Sequence, residues 1–296
     1  MIEQLKNINC TVLCDEPMRK HTSFRIGGKA KFVVIPKDEA ALIALIRVFK
    51  EQAFPFLLIG NGSNVLFSDA DYNGAVIQLA DGLTDLHTEE NGIIYCEAGV
   101  ILSKLSLFAL EQGLTGLEFA HGIPGSVGGA VFMNAGAYGG EMKDCIAAVR
   151  HMTPDGMIYE TQADECAFSY RHSLFTDNGH IILGAYFRLS EGDKESIRAR
   201  MEELKIKRKT SQPLDLPSAG STFKRPETGY AAAHIDECGL KGCSVGGAAV
   251  STKHAGFVVN VGNATAADVK QLMKHIQDTV FEKHGVLLQP EVVMLP

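Results

Sequence analysis

The stretch HGIPGSVGGA at His121–Ala130 is the densest part of the chain and decides how its fold is interpreted. A second glycine run, GNGSNV at Gly60–Val65, directly follows a short apolar strand predicted at Phe56–Ile59. A glycine-rich turn after a buried strand exposes successive backbone N–H groups, which can cradle a phosphate. This second run alone fits a tight turn between strands equally well. Two such loops suit a long ligand with a diphosphate at its middle, so together they predict a dinucleotide site.

Neither run matches the two most familiar nucleotide-binding loops. In the Rossmann motif a third glycine opens a helix, but Val65 occupies that position and no helical pattern follows at once. The pair Gly27-Gly28 is not a P-loop, because the first glycine of that motif is missing. Ala30 also stands where a Ser or Thr would coordinate magnesium. The sequence therefore predicts a nucleotide site of a different kind.

Composition limits the class of protein. The 296 residues are 46% hydrophobic and 21% charged, which is typical of a folded chain of about two domains. A net charge of −7 argues against a nucleic-acid partner, because phosphate neutralisation needs a basic face. The most apolar stretch, Ala40–Phe49, is too short to span a bilayer and contains Arg47, and the first residues lack a secretory signal. We therefore expect no membrane partner. The oligomeric state is not indicated.

The seven cysteines indicate the compartment. Their number is odd, no C-x-x-C occurs, and no cysteine pair stands with a histidine pair at zinc spacing. Reduced thiols in a cytoplasmic protein, without a disulfide framework or a metal site, are therefore expected.

Hydrophobic periodicity predicts an α+β chain with at least two modules that divide near residue 200, joined by a hinge at Ser211–Ser218. The start is expected to be irregular until Thr22. Predicted helices are Asp38–Gln52, Ser103–Gln112 closed by Gly113, Lys194–Arg208, Tyr230–Cys238, and Ala266 to about Lys283, capped by Thr265 with Asp268 near its start. Predicted strands are Lys31–Pro36, Phe56–Ile59, Ala75–Leu79, Ile93–Glu97, a strand near Val149, Ile181–Leu189, Phe257–Val261, and Val286–Leu295 broken by Pro290.

Four sequence blocks, in this order, resemble the UDP-N-acetylenolpyruvoylglucosamine reductases, the flavoenzymes of peptidoglycan precursor synthesis. They are NGSN at 61–64, GIPGSVGG at 122–129, AGSTFK at 219–224 and QPEV at 289–292. Supporting pieces are TSFRIGG at 22–28, SYR at 169–171, GLKG at 239–242 and GGA at 246–248. Each block is weak evidence by itself, but their joint order and spacing is strong, and the resemblance covers nearly the whole chain.

The resemblance implies a two-lobed FAD-binding unit of the vanillyl-alcohol-oxidase type, followed by a C-terminal α+β substrate-binding domain. The corresponding segments are 1–72 and 73–200 for the two lobes and 201–296 for the C-terminal domain. NADPH would reduce a noncovalently bound FAD, and the reduced flavin would pass a hydride to the enolpyruvyl group of a UDP-sugar, giving UDP-N-acetylmuramate. The short connection from Tyr170 to Ser221 resembles the compact subfamily, which lacks an inserted substrate-gating element.

The resemblance also assigns roles to individual residues. The expected cofactor-binding residues are Gly60, Asn61, Gly62, Ser63, Asn64, Gly122, Ile123, Pro124, Gly125, Ser126, Gly128, Gly129, Ala130, Asn134 and Gly136. Ser221 matches the proton donor, Arg171 an arginine suited to a substrate carboxylate, and Glu291 a hydrogen-bonding group for the developing enediolic acid, with a raised pKa as one possibility. Without the resemblance these three are interpreted as a turn residue, a surface salt bridge and an edge-strand charge.

Basic residues are expected to bind the substrate's diphosphate or carboxylate. The candidates are Lys224, Arg225 and Lys241, because an inward basic cluster would stand out in an acidic protein. In some relatives an asparagine replaces Arg225. The alternative is a solvated basic face. The histidines beside the blocks, His121 and His172, are interpreted as satisfied structural groups.

Two other functions remain open. The first is an oxidase of the same fold that uses oxygen, with FAD attached covalently through a residue such as His121. Release of FAD on acid denaturation would distinguish it. The second is a flavin-binding scaffold without catalysis, which NADPH turnover with substrate would exclude. The joint presence of Arg171, Ser221 and Glu291 argues against the scaffold.

Overall fold

The computed structural model describes residues 2–90 and 92–296 and divides into two compact units. Unit 1 comprises the residues up to Leu13 together with Phe32–Asn61 and Gly74–Lys207. Unit 2 comprises Cys14–Lys31, Gly62–Asn73 and Arg208–Pro296. Neither unit is one continuous stretch of the chain. Unit 1 takes residues from both sides of the first glycine loop, and unit 2 combines two short N-terminal segments with the C-terminal part. The expected division into 1–72, 73–200 and 201–296 stays a prediction.

Helices and strands are interspersed along the chain. The helices are α1 Ile2–Leu5, α2 Glu39–Glu51, α3 Leu102–Gln112, α4 Val127–Phe132, α5 Phe175–Asn178, α6 Lys194–Ser211, α7 Ala231–Glu237 and α8 Ala266–His284. The strands are β1 Cys10–Pro17, β2 Lys29–Pro36, β3 Phe56–Ile59, β4 Val65–Phe67, β5 Tyr72–Gln78, β6 Leu86–Thr88, β7 Ile94–Glu97, β8 Leu114–Thr115, β9 Gly136–Ala137, β10 Gly140–Glu141, β11 Ile146–Met152, β12 Ile158–Gln162, β13 Ile181–Phe187, β14 Ser190–Glu191, β15 Ser244–Val245, β16 Ala248–Val250, β17 Val258–Asn260 and β18 Val293–Leu295.

The buried core of unit 1 contains residues from its helices and from strands of two sheets. One sheet has the strand order β1-β2-β5-β3, with β3 and β5 parallel, and the other is antiparallel with the order β12-β11-β13-β7-β6. Helix α2 begins at its cap Asp38, whose carboxylate accepts a hydrogen bond from the Ala41 N–H at 2.7 Å. Its apolar face is fully buried at Leu42 and Phe49. Capping and periodicity thus position α2 as the sequence predicts.

Unit 2 is built on the sheet β15-β16-β17 and the long helix α8. Thr265 and Asp268 form a capping box, in which Thr265 Oγ1 accepts from the Asp268 N–H at 3.0 Å and Asp268 Oδ2 accepts from the Thr265 N–H at 3.0 Å. The helix ends at Gly285, which has a φ of 67°. Both signals fix the helix ends close to the predicted positions.

Three sequence predictions need correction. The segment before Thr22 is not irregular, since it contains α1 and the strand β1. Strand β1 is an edge strand with no alternation of buried and exposed residues, so it carries no period-two signal. Helix α6 continues to Ser211 rather than stopping at Arg208, and Pro213 follows soon after.

The closing strand is the third correction, because only Val293–Leu295 of the predicted Val286–Leu295 is a regular strand. Pro290 cannot donate to a ladder and lies instead in an isolated bridge with Phe223. None of the helices in the described ranges is both long and apolar enough to cross a membrane.

Candidate active site

The two glycine loops contact each other within unit 1. A Cβ on Gly60 would lie 2.4 Å from the Oγ of Ser126, so any larger residue would force the Ser126 side chain to move. The side-chain amide of Asn61 donates a hydrogen bond to the Pro124 carbonyl at 2.9 Å. Gly128 packs tightly against Ala98, the residue that follows β7. The Gly128 N–H donates to the Ala98 carbonyl at 2.9 Å, and a Cβ added to Gly128 would lie 2.8 Å from the Ala98 Cβ. Gly60 and Asn61 therefore form one cradle with the second loop, and we call it the glycine cradle.

Ser126 gives this cradle an available polar group. The residue is 1% exposed, and among the described residues its hydroxyl has no hydrogen-bond partner. Leaving a buried hydroxyl unpaired costs about 1–3 kcal/mol, so such a group calls for an explanation. Ser126 precedes α4, and Gly129 in the first turn of that helix is exposed. A hydroxyl, glycine backbone and close loop approach fit the diphosphate of a dinucleotide.

The second half of the first loop, Gly62–Asn64, belongs to unit 2. Gly62 has a φ of 63°, and a Cβ there would lie 2.0 Å from the His21 carbonyl oxygen. Its own carbonyl accepts from the Ser23 N–H at 3.1 Å, and Ser23 Oγ contacts the Ser63 carbonyl at 3.4 Å. Asn64 donates from Nδ2 to the Glu291 carbonyl at 3.1 Å. This half of the loop is thus held by unit 2.

Asn134 holds the hairpin of β9 and β10 in place. It has no exposed surface, and its amide donates to Glu141 Oε2 at 2.8 Å and to the Ser169 carbonyl at 3.0 Å. Its oxygen accepts from the Lys143 N–H at 2.9 Å. The side chain is engaged inside the protein, so the structure supports a positioning role. Gly136, two residues on, lies in that hairpin.

Arg171 adopts a strained backbone conformation. It lies at a tight turn in which Ser169 and His172 exchange backbone hydrogen bonds of 3.1 and 3.3 Å, and its φ is 54°. Its guanidinium stacks 5.0 Å from the centroid of the Tyr170 ring, and Nη2 donates to the Gly136 carbonyl at 3.4 Å. Left-handed conformations are uncommon for arginine and cluster at functional sites.

In unit 2 an antiparallel pairing brings Ser221 and Glu291 onto adjoining segments. The Glu291 N–H donates to the Thr222 carbonyl at 2.9 Å, and the Lys224 N–H donates to the Gln289 carbonyl at 2.9 Å. Thr222 is 3% exposed, its N–H donates to the Gly256 carbonyl at 2.8 Å, and its hydroxyl accepts from the Val258 N–H at 2.9 Å. Ser221 itself is exposed. The pairing therefore holds the exposed Ser221 on a segment that adjoins the segment of Glu291.

The predicted basic residues have different surroundings. Lys224 is half-buried on the paired segment of Ser221 and Glu291. Arg225 is exposed and stacks over the Tyr230 ring at 4.6 Å. Lys241 forms an ion pair with Asp236 at 2.6 Å, in which both side chains are partly exposed. Exposed pairs of this kind contribute little stability, so Asp236 holds Lys241 only weakly.

Two residues that hold this region together were not among those predicted from the sequence. They are Ser23, whose hydroxyl donates to the Ser218 carbonyl at 2.6 Å, and Thr222. Both residues lie in stretches quoted for the family resemblance, Ser23 in 22–28 and Thr222 in 219–224. That position is the only feature of the sequence that pointed to them. His172 is satisfied by Asp177 at 2.9 Å, as expected. His121 is satisfied only in part, because it has a backbone hydrogen bond with Ser103 while its buried Nδ1 has no partner in the described part of the chain, and burial lowers its pKa.

Two family models match this chain. A family model described as an FAD binding domain matches residues 30–162, and one described as the C-terminal domain of UDP-N-acetylenolpyruvoylglucosamine reductase matches residues 212–295. The chain is 47% identical to the UDP-N-acetylenolpyruvoylglucosamine reductase of Lachnoclostridium phytofermentans, over 100% of this chain and 97% of that protein. It is 48% identical to the enzyme of that name from Agathobacter rectalis, over 99% and 96%.

Solved structures agree in fold. The crystal structure of UDP-N-acetylenolpyruvylglucosamine reductase from Thermus caldophilus superposes with a TM-score of 0.82 at 35% identity, covering 97% of this chain and 99% of that one. A glucooligosaccharide oxidase from Acremonium strictum superposes with a TM-score of 0.51 at 13% identity, covering 98% and 59%, a likeness of fold alone. The predicted class, an α+β FAD-binding unit of the vanillyl-alcohol-oxidase type followed by a C-terminal domain, is confirmed.

Proposed function

Because the chain belongs to the UDP-N-acetylenolpyruvoylglucosamine reductase family and is an FAD oxidoreductase, we propose that it uses NADPH to reduce the enolpyruvyl group of UDP-N-acetylenolpyruvoylglucosamine to UDP-N-acetylmuramate. The observation that carries the proposal is the pairing of residues 222–224 with 289–291. It holds Ser221, Lys224 and Glu291 on two adjoining segments. A proton donor, a cation and a carboxyl group are the side chains this reduction requires.

The glycine cradle supports noncovalent FAD. Gly60, Asn61 and Ser126 would hold the diphosphate, together with the backbone at the start of α4, because these groups meet where an added Cβ would collide. When bound, the flavin supplies a two-electron carrier that takes a hydride from NADPH and returns one to the substrate. The other residues predicted to bind the cofactor, which lie within 62–64 and 122–136, would contact FAD as well.

The protein's own side chains supply the rest of the chemistry. Hydride addition to the terminal methylene carbon pushes electron density into the neighbouring carboxylate, which becomes enediolate-like. Arg171 would bind that carboxylate with its planar guanidinium, and Glu291 would hydrogen-bond to it. Ser221 Oγ would donate the proton to the adjacent carbon. The hydrogen bond from Arg171 Nη2 to the Gly136 carbonyl at 3.4 Å supports this role, since it places the guanidinium beside a residue predicted to bind the cofactor.

The substrate side of the proposal rests on the C-terminal residues. Residues 201–296 would bind the UDP-sugar, and segments 1–72 and 73–200 would bind FAD. Lys224, Arg225 and Lys241 would pair with the substrate's diphosphate or carboxylate, because all three lie in unit 2 with at least part of each side chain accessible. We place the enzyme in the cytoplasm, where NADPH and nucleotide sugars are available.

A product assay tests the proposal. The purified protein is incubated with NADPH and UDP-N-acetylenolpyruvoylglucosamine under nitrogen, and mass spectrometry should find a product two hydrogens heavier for each NADPH consumed. NADPH oxidation that needs oxygen and leaves the UDP-sugar unchanged would overturn it in favour of an oxidase. Flavin released by acid supports noncovalent FAD, and flavin retained by the precipitated chain would contradict that part of the proposal.

A further inference from the structure

Two histidines and a glutamate meet in unit 2, away from the residues placed in catalysis. His234 lies on α7, Glu237 ends that helix, and His284 ends α8. One ligand-capable atom from each side chain lies within 4.8 Å of the other two. The two imidazole rings are 5.0 Å apart between centroids and tilted by 51°. Such a cluster needs a physical reason, because buried imidazole nitrogens are normally hydrogen-bonded.

The hydrogen bond made by His234 fixes which of its nitrogens has a lone pair. Nε2 lies 2.9 Å from the carbonyl oxygen of Thr228, and a carbonyl only accepts. Nε2 must therefore carry the hydrogen. In the neutral ring Nδ1 is then the unprotonated nitrogen, and it is buried without a partner in the described residues. A carbonyl that fixes the tautomer of a histidine in this way is the usual neighbour of a metal-binding histidine.

His284 presents a second nitrogen of the same kind. Its Nε2 is buried and has no hydrogen-bond partner within the described ranges. Glu237 Oε2 lies 3.6 Å away, which is too long for an N–H···O hydrogen bond. Two ligands of one tetrahedral zinc ion are about 3.4 Å apart, since each lies roughly 2.0–2.2 Å from the metal. The separation of His284 and Glu237 is close to the spacing of two ligands that share an ion.

We propose that His234 Nδ1, His284 Nε2 and a carboxylate oxygen of Glu237 bind one Zn²⁺ ion. Two imidazole nitrogens and one carboxylate favour a late transition metal over Mg²⁺ or Ca²⁺, which prefer oxygen. The Glu237 side chain is 61% exposed, so solvent reaches the site and water completes the tetrahedral coordination. The C-terminus of α8 carries partial negative charge, which adds attraction for a cation.

The proposed ion would join the last residue of α7 to the last residue of α8. His234 and Glu237 are three positions apart on one helix, so they share a face, while His284 comes from a distant part of the sequence. That distance explains why the sequence, searched for local zinc spacings, predicted no metal site. Because a ligand that binds only the folded state stabilises it, zinc should raise the melting temperature.

The test uses the untagged FAD-bound protein, treated with EDTA, dialysed, and titrated with ZnCl2 by calorimetry. We expect one zinc per chain and a rise in Tm. His234→Gln and His284→Gln should each weaken binding by at least about tenfold and abolish the rise in Tm. His275→Gln, which changes an exposed histidine on α8, is the matched control and should bind zinc like the wild type.

A third variant guards against misfolding. Glu237→Gln changes an exposed side chain, so the fold should survive and zinc binding should fall. Absence of stoichiometric zinc binding by the wild type would overturn the proposal. Undiminished binding by the two histidine variants would overturn it as well. X-ray absorption of the zinc complex should show two imidazole ligands, and a spectrum without them would contradict the assignment.

Discussion

The backbone N–H of Glu291 donates a hydrogen bond to the carbonyl oxygen of Thr222 at 2.9 Å. The carbonyl of Glu291 accepts in turn from the side-chain amide of Asn64 at 3.1 Å. Both backbone groups of the proposed catalytic glutamate are thereby fixed. Because Ser221 immediately precedes Thr222, the same bond locates the proposed proton donor relative to the carboxylate. The geometry of the proposed site in unit 2 thus depends on Thr222, which itself has no chemical role.

Thr222→Val tests that dependence. Valine keeps the shape but removes the hydroxyl that accepts from the buried Val258 N–H at 2.9 Å. An unpaired buried N–H costs about 1–3 kcal/mol, so the free energy of unfolding should fall by that amount. Urea denaturation measures it. Thr88→Val, an exposed position in β6, is the control and should change stability by less than about 0.5 kcal/mol. Equal effects at both positions would contradict the anchoring role.

The contact between Gly60 and Ser126 predicts a coupled pair of mutations. Gly60→Ala would place a Cβ 2.4 Å from Ser126 Oγ and should destabilise the protein by about 1–3 kcal/mol. Ser126→Ala removes a hydroxyl that has no partner in the described residues, so stability should hold while FAD retention falls. The double variant should regain the stability that Gly60→Ala loses, since the colliding atom is gone.

Thermal unfolding and the flavin content after gel filtration measure both effects. A double variant whose loss of stability equals the sum of the single losses would mean that the two loops do not contact each other. Full FAD retention by Ser126→Ala would remove that hydroxyl from the cofactor site.

Ser221→Ala separates the two proposed half-reactions. The residue is exposed, so the fold should be unaffected, and reduction of the flavin by NADPH should proceed at close to the wild-type rate. Reoxidation by the UDP-sugar should slow by about 10²–10⁴-fold, because a positioned proton donor contributes that much. Anaerobic stopped-flow absorbance follows both steps. Ser244→Ala, an exposed serine in the same unit, is the control. Normal reoxidation in Ser221→Ala would exclude Ser221 as the proton donor.

His151 predicts a loss of stability in weak acid. It is 3% exposed, and its Nδ1 lies 3.1 Å from Nδ1 of His180. Burial, and next the neighbouring His180, lower the pKa of His151 below its ordinary value of about 6.5. As the pH falls through about 6.5, the ordinary pKa of histidine, His151 takes up a proton in the unfolded chain but not in the folded chain. The free energy of unfolding should therefore decrease from pH 7 downward until the folded-state pKa is reached.

His151→Gln should remove part of that decrease. Urea denaturation at pH 7.5 and 5.5 should give a smaller difference for the variant than for the wild type, while His275→Gln should keep the wild-type difference. An unchanged difference in His151→Gln would assign the acid sensitivity to other groups.

Local sequence patterns predicted the positions of helices well. They did not predict contacts between segments that are far apart in the sequence. Helices α2 and α8 were predicted nearly to the residue because Asp38, and Thr265 with Asp268, mark their starts. Strand β1 was missed, since its partly buried edge position produces no alternation. The pairing of 222–224 with 289–291 leaves no periodic trace, so only the resemblance pointed to Ser221 and Glu291 together. The cluster of His234, Glu237 and His284 leaves none either, because chain topology alone creates it.

The most direct test of the claim that this chain is an FAD-dependent reductase of a UDP-sugar is the visible spectrum of the purified protein under anaerobic conditions. We expect a flavin band at about 450 nm that bleaches on addition of NADPH and returns on addition of UDP-N-acetylenolpyruvoylglucosamine, since the two changes report two separate hydride transfers. Bleaching without recovery would contradict the proposed substrate. A colourless protein that takes up no added FAD would contradict the claim itself.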